Sequence, residues 1–306
     1  MSAALAALLL AAAAPEPPGP GWHLVWSDEF DGTAIDAGKW HQADDCWGGG
    51  NQERQCYTRA HRNAAVADGQ LVITARRERV SGPALPAGQR SGGAVPDIVR
   101  DYSSARLSTR GHASWRYGRI EIRAQLPQGQ GSWPALWMLP DDDAYGRWAA
   151  SGEIDIVEAV NLGVPCAACP DGREATILGT LHFGGAWPGN RQSGEEMAWP
   201  PALTGFHTYA IDWQADRITW LVDGKAWATR SASQWQTSGS SAAGAPFDQP
   251  FHLILNLAIG GGLAERRGSG GVDARGFPRE LRIDWVRVWQ RPEAGVRNAA
   301  RASEGR

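Results

Sequence analysis

Gly152-Glu153-Ile154-Asp155-Ile156-Val157-Glu158 sets three carboxylates within six residues, interleaved with β-branched apolar side chains. Ile and Val favour pleated backbone, so the stretch reads as a strand rather than a helix. Period two puts Glu153 and Asp155 on one face and Ile154 and Ile156 on the other. Glu158 falls out of phase, because an unbroken strand would set Val157 beside the first two acids. One extra residue absorbed at Ile156-Val157 restores the phase. A β-bulge does this, and bulges often re-aim side chains beside active sites. The stretch therefore predicts a bulge there, with all three acids on the concave face of a sheet.

Crowded carboxylates cannot all ionise cheaply, so their proton affinities are driven apart. One acid can then hold a proton near neutral pH while its neighbour is an anion, the pair that glycoside hydrolysis needs. With the bulge absorbed, Glu153 and Glu158 are four strand steps apart, roughly 13 Å along the backbone. Two side chains leaning together close that to roughly 5–6 Å, near the spacing of retaining enzymes; inverting enzymes hold a water across roughly 6.5–9.5 Å. The spacing favours retention and leaves inversion open. An acidic exposed strand or a cation site is the alternative reading of the three acids.

The rest of the chain reads as strands and turns. Trp22-His23-Leu24-Val25-Trp26 alternates, as do Gly69 to Arg76 and Gly118-Arg119-Ile120-Glu121-Ile122-Arg123. Tyr102 to Leu107 and Leu136 to Leu139 add further strands. Ile177 to Phe183 reads as the antiparallel neighbour of the acidic strand. Thr208 to Trp213 and Arg217 to Val222 form a hairpin, and Asp223-Gly224 turns into Lys225 to Thr229. Phe251 to Ile259 is a nearly continuous apolar run, as in a buried central strand. Leu281 to Trp289 is the last strand. Val80 to Asp97, Ser231 to Pro246 and Gly260 to Gly271 read as loops. Long amphipathic helices are absent, so the class is all-β, a sandwich or barrel, in one domain over residues 22–290.

The chain has 306 residues and a formal net charge of −3, with no basic footprint for nucleic acid or an anionic membrane. Its 16 Trp against 6 Phe and 5 Tyr suit flat amphipathic ligands such as sugar rings as well as the core. Residues 1–14 are a short apolar run ending in four alanines. The run is too short to span a bilayer and resembles the end of a secretory signal, although a basic n-region is missing. Residues 15–21 read as a linker and 291–306 as a disordered polar tail. Export, to the outside or the periplasm, fits four cysteines. Cys166-Ala167-Ala168-Cys169 lies in a Pro-flanked loop, where a local disulfide is preferred over a zinc or redox site; Cys46 with Cys56 is a plausible second pair.

Gly152 to Glu158 resembles the active-site signature of glycoside hydrolase family 16, in the longer form typical of laminarinase-like members. Trp22 to Phe30, Trp47 to Tyr57, Tyr117 to Pro140, Gly179 to Gly185, Phe206 to Gly224, Phe251 to Gly261 and Ile283 to Trp289 resemble family segments in the family's order. The resemblance implies a β-jelly roll of two curved antiparallel sheets with a cleft across the concave one. It implies a retaining endo-β-1,3-glucanase acting on a β-glucan, as a monomer and without a cofactor for chemistry.

The resemblance assigns Glu153 as nucleophile and Glu158 as general acid/base, with Asp155 between them to share a proton or orient Glu153. Trp133 and Trp137, four apart, share a strand face and are read either as sugar-stacking residues or as a two-Trp core. Trp148 is expected near the cleaved bond. His182 would bond a sugar or tune an acid. Asn51 and Trp187 match cleft positions, Asn51 being otherwise a turn former. Glu29, Gly69 and Asp284 match positions where many family members bind a structural calcium ion. Gly260-Gly261-Gly262-Leu263-Ala264 lacks the Trp usual after the double glycine, which bears on subsite preference. Mixed-linkage glucan or galactan hydrolysis, transglycosylation and catalytically inert β-glucan recognition are the rivals.

Overall fold

A computed structural model describes residues 15–90 and 94–292. The expected leader, residues 1–14, and nearly all of the expected tail lie outside the described residues. Two β-sheets pack face to face as a jelly roll. The seven-stranded sheet runs, edge to edge, Asn190–Ala198, Thr176–Gly184, Glu153–Ala159, Ser132–Pro140, Phe251–Ile259, Arg106–Ser108 and His41–Gln42. The acidic strand thus lies near its middle, between Thr176–Gly184 and Ser132–Pro140, antiparallel to both.

The ten-stranded sheet covers the other side of the core. Its main path runs Lys225–Ser231, Arg217–Val222, His207–Trp213, Gly118–Gln125, Arg279–Gln290, Gln70–Pro83, Asp97–Ser104 and Gln55–Tyr57. His23–Asp28 pairs with Arg279–Gln290, and Ala64–Ala67 with Gln70–Pro83. Gln55–Tyr57 runs parallel to Asp97–Ser104, the exception among the paired strands of the described residues.

Alternation builds the core. Leu253, Leu255, Leu257 and Ile259 point between the sheets, where they meet Ile120, Ile122, Ile211, Trp213, Ile218 and Trp220. The opposite phase of the Phe251–Ile259 strand carries His252, Ile254, Asn256 and Ala258 toward the cleft side. All nine residues of that strand are buried, as its apolar run predicts. Asp223 and Gly224 both take positive φ, 47° and 75°, the two-residue turn expected there.

Two loop expectations are corrected. The strand Gln70–Pro83 continues past Val80, and its partner starts at Asp97, pairing Val80 with Arg100 and Pro83 with Asp97. The pairing skips between Arg77 and Val80, and this irregularity hides the alternation in the sequence. The Gly260 to Gly271 segment contains a short helix, Gly261–Glu265. Its Glu265 accepts from Arg54 Nε at 2.5 Å. Both expected disulfides are present, Cys46–Cys56 and Cys166–Cys169.

Candidate active site

The bulge lies where the phase break predicts. Against Thr176–Gly184 the register shifts between Asp155 and Glu158; against Ser132–Pro140 it shifts between Asp155 and Val157. Ile156 and Val157 are both buried in the inter-sheet core, at 2% and 1% exposure. Two successive side chains pointing inward return Glu158 to the face of Glu153 and Asp155. Across the ladders, Glu153 faces His182, Asp155 lies between Thr180 and Trp137, and Glu158 lies between Leu178 and Ala135.

Each glutamate has its own indole donor. Trp148 Nε1 donates to Glu153 Oε2 at 2.8 Å, and Trp133 Nε1 donates to Glu158 Oε1 at 2.8 Å. Trp133 is thus more than a core ring, although it is 9% exposed. His182 adds a third group, with Nε2 3.2 Å from Asp155 Oδ2 and 3.6 Å from Glu153 Oε1. The Trp148 ring lies 5.6 Å from the His182 ring.

These contacts separate the two glutamates electrically. Burial, then the charge of Asp155, pushes Glu153 up to about 7, while His182 and the Trp148 N–H hold it down. Burial and Asp155 push Glu158 higher, to about 8, with the Trp133 N–H as the main opposing influence. Burial would lower His182, but its bond to Asp155 and the charge of Glu153 raise it to about 9, so it is a cation at neutral pH. Both stand above the ordinary carboxylate value, so one can be ionised near neutral pH while the other keeps its proton. This is the division a nucleophile and a general acid require.

The cleft floor extends away from Glu153 and Glu158. Trp137 points to the same face, its Nε1 donating to Asn256 Oδ1 at 2.7 Å and its ring lying 4.9 Å from the Arg106 guanidinium. Asn256 in turn donates to Tyr57 Oη at 3.1 Å, and Tyr57 donates to the buried Glu53 at 3.3 Å. Burial and the Glu53 charge raise the Tyr57 phenol well above its ordinary value, so it stays a donor. Asn51 donates to the other Glu53 oxygen at 3.3 Å. Glu53 presses against Gly49, where a Cβ would lie 2.1 Å from its Oε1, so the glycine loop is fitted to this carboxylate. Trp187 stands 75% exposed on the loop beside Trp148, whose carbonyl accepts the Trp187 backbone N–H at 3.2 Å.

The sequence alone does not single out Arg106, Asn256, Tyr57 and Glu53 as site residues. Asn256 and His252 did leave a signal: they are the polar residues in an otherwise apolar run, in one phase. Asn51, Glu53 and Tyr57 lie in one short segment, but the links from Tyr57 to Asn256 and from Arg106 to Trp137 cross to other strands and leave no local signal.

The expected calcium positions are engaged otherwise. Glu29 accepts from Arg287 at 3.1 and 2.7 Å, Asp284 accepts from Arg123 at 2.5 Å, and Gly69 closes a turn at φ 72°. Each carboxylate is thus paired with a guanidinium, and Gly69 can offer a cation only its backbone carbonyl.

Comparison with known proteins places the chain in a family. The family model described as glycosyl hydrolases family 16 matches residues 51–287. A β-glucanase of Rhodothermus marinus is 43% identical, over 89% of this chain and 86% of its own. The glucan endo-1,3-β-glucosidase A1 of Niallia circulans is 39% identical over 90% of this chain, which spans only 39% of that relative's length. The crystal structure of the Rhodothermus marinus laminarinase superposes with a TM-score of 0.71 at 41% identity, covering 89% of this chain and 98% of that one. The chain belongs to glycosyl hydrolase family 16.

Proposed function

We propose that this chain is an endo-acting β-1,3-glucanase that hydrolyses laminarin-type β-glucans with retention of configuration. The observation that carries the reading is the bulge, which sets two glutamates in unequal environments on one face of the cleft.

Glu153, as the anion, attacks the anomeric carbon while Glu158 gives its proton to the departing glycosidic oxygen. The C–O bond breaks, the aglycone leaves as an alcohol, and a glycosyl ester forms on Glu153. Glu158, now a carboxylate, takes a proton from an incoming water. That water's oxygen attacks the anomeric carbon, the ester bond breaks, and both glutamates return to their starting states. His182 offsets the charge on Glu153 and Asp155. The Trp148 indole N–H favours the ionised nucleophile.

Trp137, Trp187 and Asn51 supply the stacking faces and polar contacts for the glucan. Trp137 is held by Asn256 and Arg106, and Asn51 by Glu53. Export is supported by two disulfides, which persist in oxidising compartments. Among the described residues, no helix is long and apolar enough to cross a membrane.

The test is incubation of the purified protein with laminarin, lichenan and agarose, followed by product sizing. Short oligosaccharides from laminarin, lost in Glu153→Gln, are expected. Cleavage mainly of lichenan or agarose replaces the substrate and keeps the chemistry. Laminarin binding with no products from any polymer overturns the hydrolase reading in favour of recognition alone.

A further inference from the structure

The bulge is held from the far side of the core. Trp220 belongs to the Arg217–Val222 strand of the ten-stranded sheet, and it is 1% exposed. Its Nε1 donates across the core to the carbonyl oxygen of Asp155 at 2.7 Å. Asp155 is the residue at which the register breaks against both neighbouring strands. The seat for the indole is Gly179, on the strand beside the bulge. A Cβ there would lie 2.5 Å from Trp220 Cδ1 and 2.6 Å from Nε1. A glycine with no side chain and a tryptophan from the opposite sheet are therefore fitted to each other directly under the acids.

We propose that Trp220 is a positioning residue for catalysis: its indole N–H pins the Asp155 carbonyl and so fixes the bulge that aims Glu158 at the leaving oxygen. The inference rests on the proposed hydrolase reading and deepens it. Trp220 touches neither substrate nor acid side chain. Its effect passes through the backbone from Asp155 to Glu158, three residues on. A loosened bulge leaves most of the floor for the sugar in place, since Asn256 and Arg106 lie on strands that do not pair with the acidic strand. Binding is spared and proton donation suffers. A misplacement of about 1 Å at the acid can cost on the order of 100-fold in rate.

Trp213 is the natural control. It is equally buried in the same core, on His207–Trp213, and its Nε1 also donates to a carbonyl, that of Phe247 at 3.1 Å. The experiment compares Trp220→Phe, Trp213→Phe, Gly179→Ala and Trp220 replaced by 3-benzothienylalanine. The last keeps the shape and lacks the N–H, so it reads out even where the others fail to fold. Each is assayed on laminarin and on a dinitrophenyl β-laminaribioside, whose leaving group needs no proton.

For the three variants that disturb the Trp220–Asp155 bond, laminarin kcat falls by about 30-fold with KM within about 2-fold. Their kcat/KM on the dinitrophenyl substrate stays within about 3-fold of wild type, as expected when only acid assistance is lost. Trp213→Phe stays within about 3-fold of wild type on both substrates. The proposal is overturned if the benzothienyl protein matches wild type on laminarin, or if both substrates suffer equally. Wild-type protein that cleaves neither substrate contradicts the hydrolase reading itself, and this inference with it.

Discussion

Glu153 and His182 face each other across the ladder between the acidic strand and Thr176–Gly184, with Nε2 3.6 Å from Oε1. The same nitrogen lies 3.2 Å from Asp155 Oδ2. The cation therefore sits between the nucleophile and the acid that raises the nucleophile's proton affinity. His182→Gln keeps a donor and removes the charge. Glu153 then ionises at higher pH, and the acid limb of the kcat/KM profile moves up by about one unit. Activity at pH 6 falls by about 10-fold, and the optimum moves up toward the alkaline limb that Glu158 sets. An unmoved acid limb would show that His182 serves only to pack or to bind sugar.

Stability should fall as pH rises. Glu158 is held near 8 in the fold, whereas an unfolded glutamate titrates near 4.3. Between these values the folded state binds more protons than the unfolded state, so the stabilisation present at low pH is lost through the window. Glu153, near 7, and His182, near 9, act in the same direction. Glu158→Gln removes one of these groups. Its melting temperature matches wild type at pH 5 and exceeds it by about 3 °C at pH 8. Melting curves at the two pH values decide the matter, and an equal offset at both would contradict the assignment.

Trp187 is 75% exposed, so its ring contributes little to the core. Its removal should be felt by the sugar and not by the fold. Trp187→Ala raises KM for laminarin by about 5-fold with kcat and melting temperature unchanged. A stability loss without a KM change would assign the residue to the loop rather than the ligand.

The bulge was legible because Glu158 breaks a two-residue rhythm, and only an inserted residue restores it. The shared face of Trp133 and Trp137 was legible from the same period. The indole donors to Glu153 and Glu158 were visible as residues but not as pairs. The network from Asn51 through Glu53, Tyr57 and Asn256 to Trp137 joins distant segments of chain, and no local pattern encodes that register. Trp220 is harder still. In its own strand it reads as one more core residue, and its partner is a backbone carbonyl on the opposite sheet. The strand past Val80 escaped because its pairing is irregular and its composition is that of a loop.

In the proposed double displacement, Glu153 forms a glycosyl ester and Glu158 serves in turn as acid and base. The most direct test follows laminarin hydrolysis by proton NMR in the first minutes, before mutarotation, with Glu153→Gln as the control. A retaining enzyme releases the β-anomer of the new reducing end first, and the control gives no product. The α-anomer appearing first would establish inversion and rule out a glycosyl ester on Glu153.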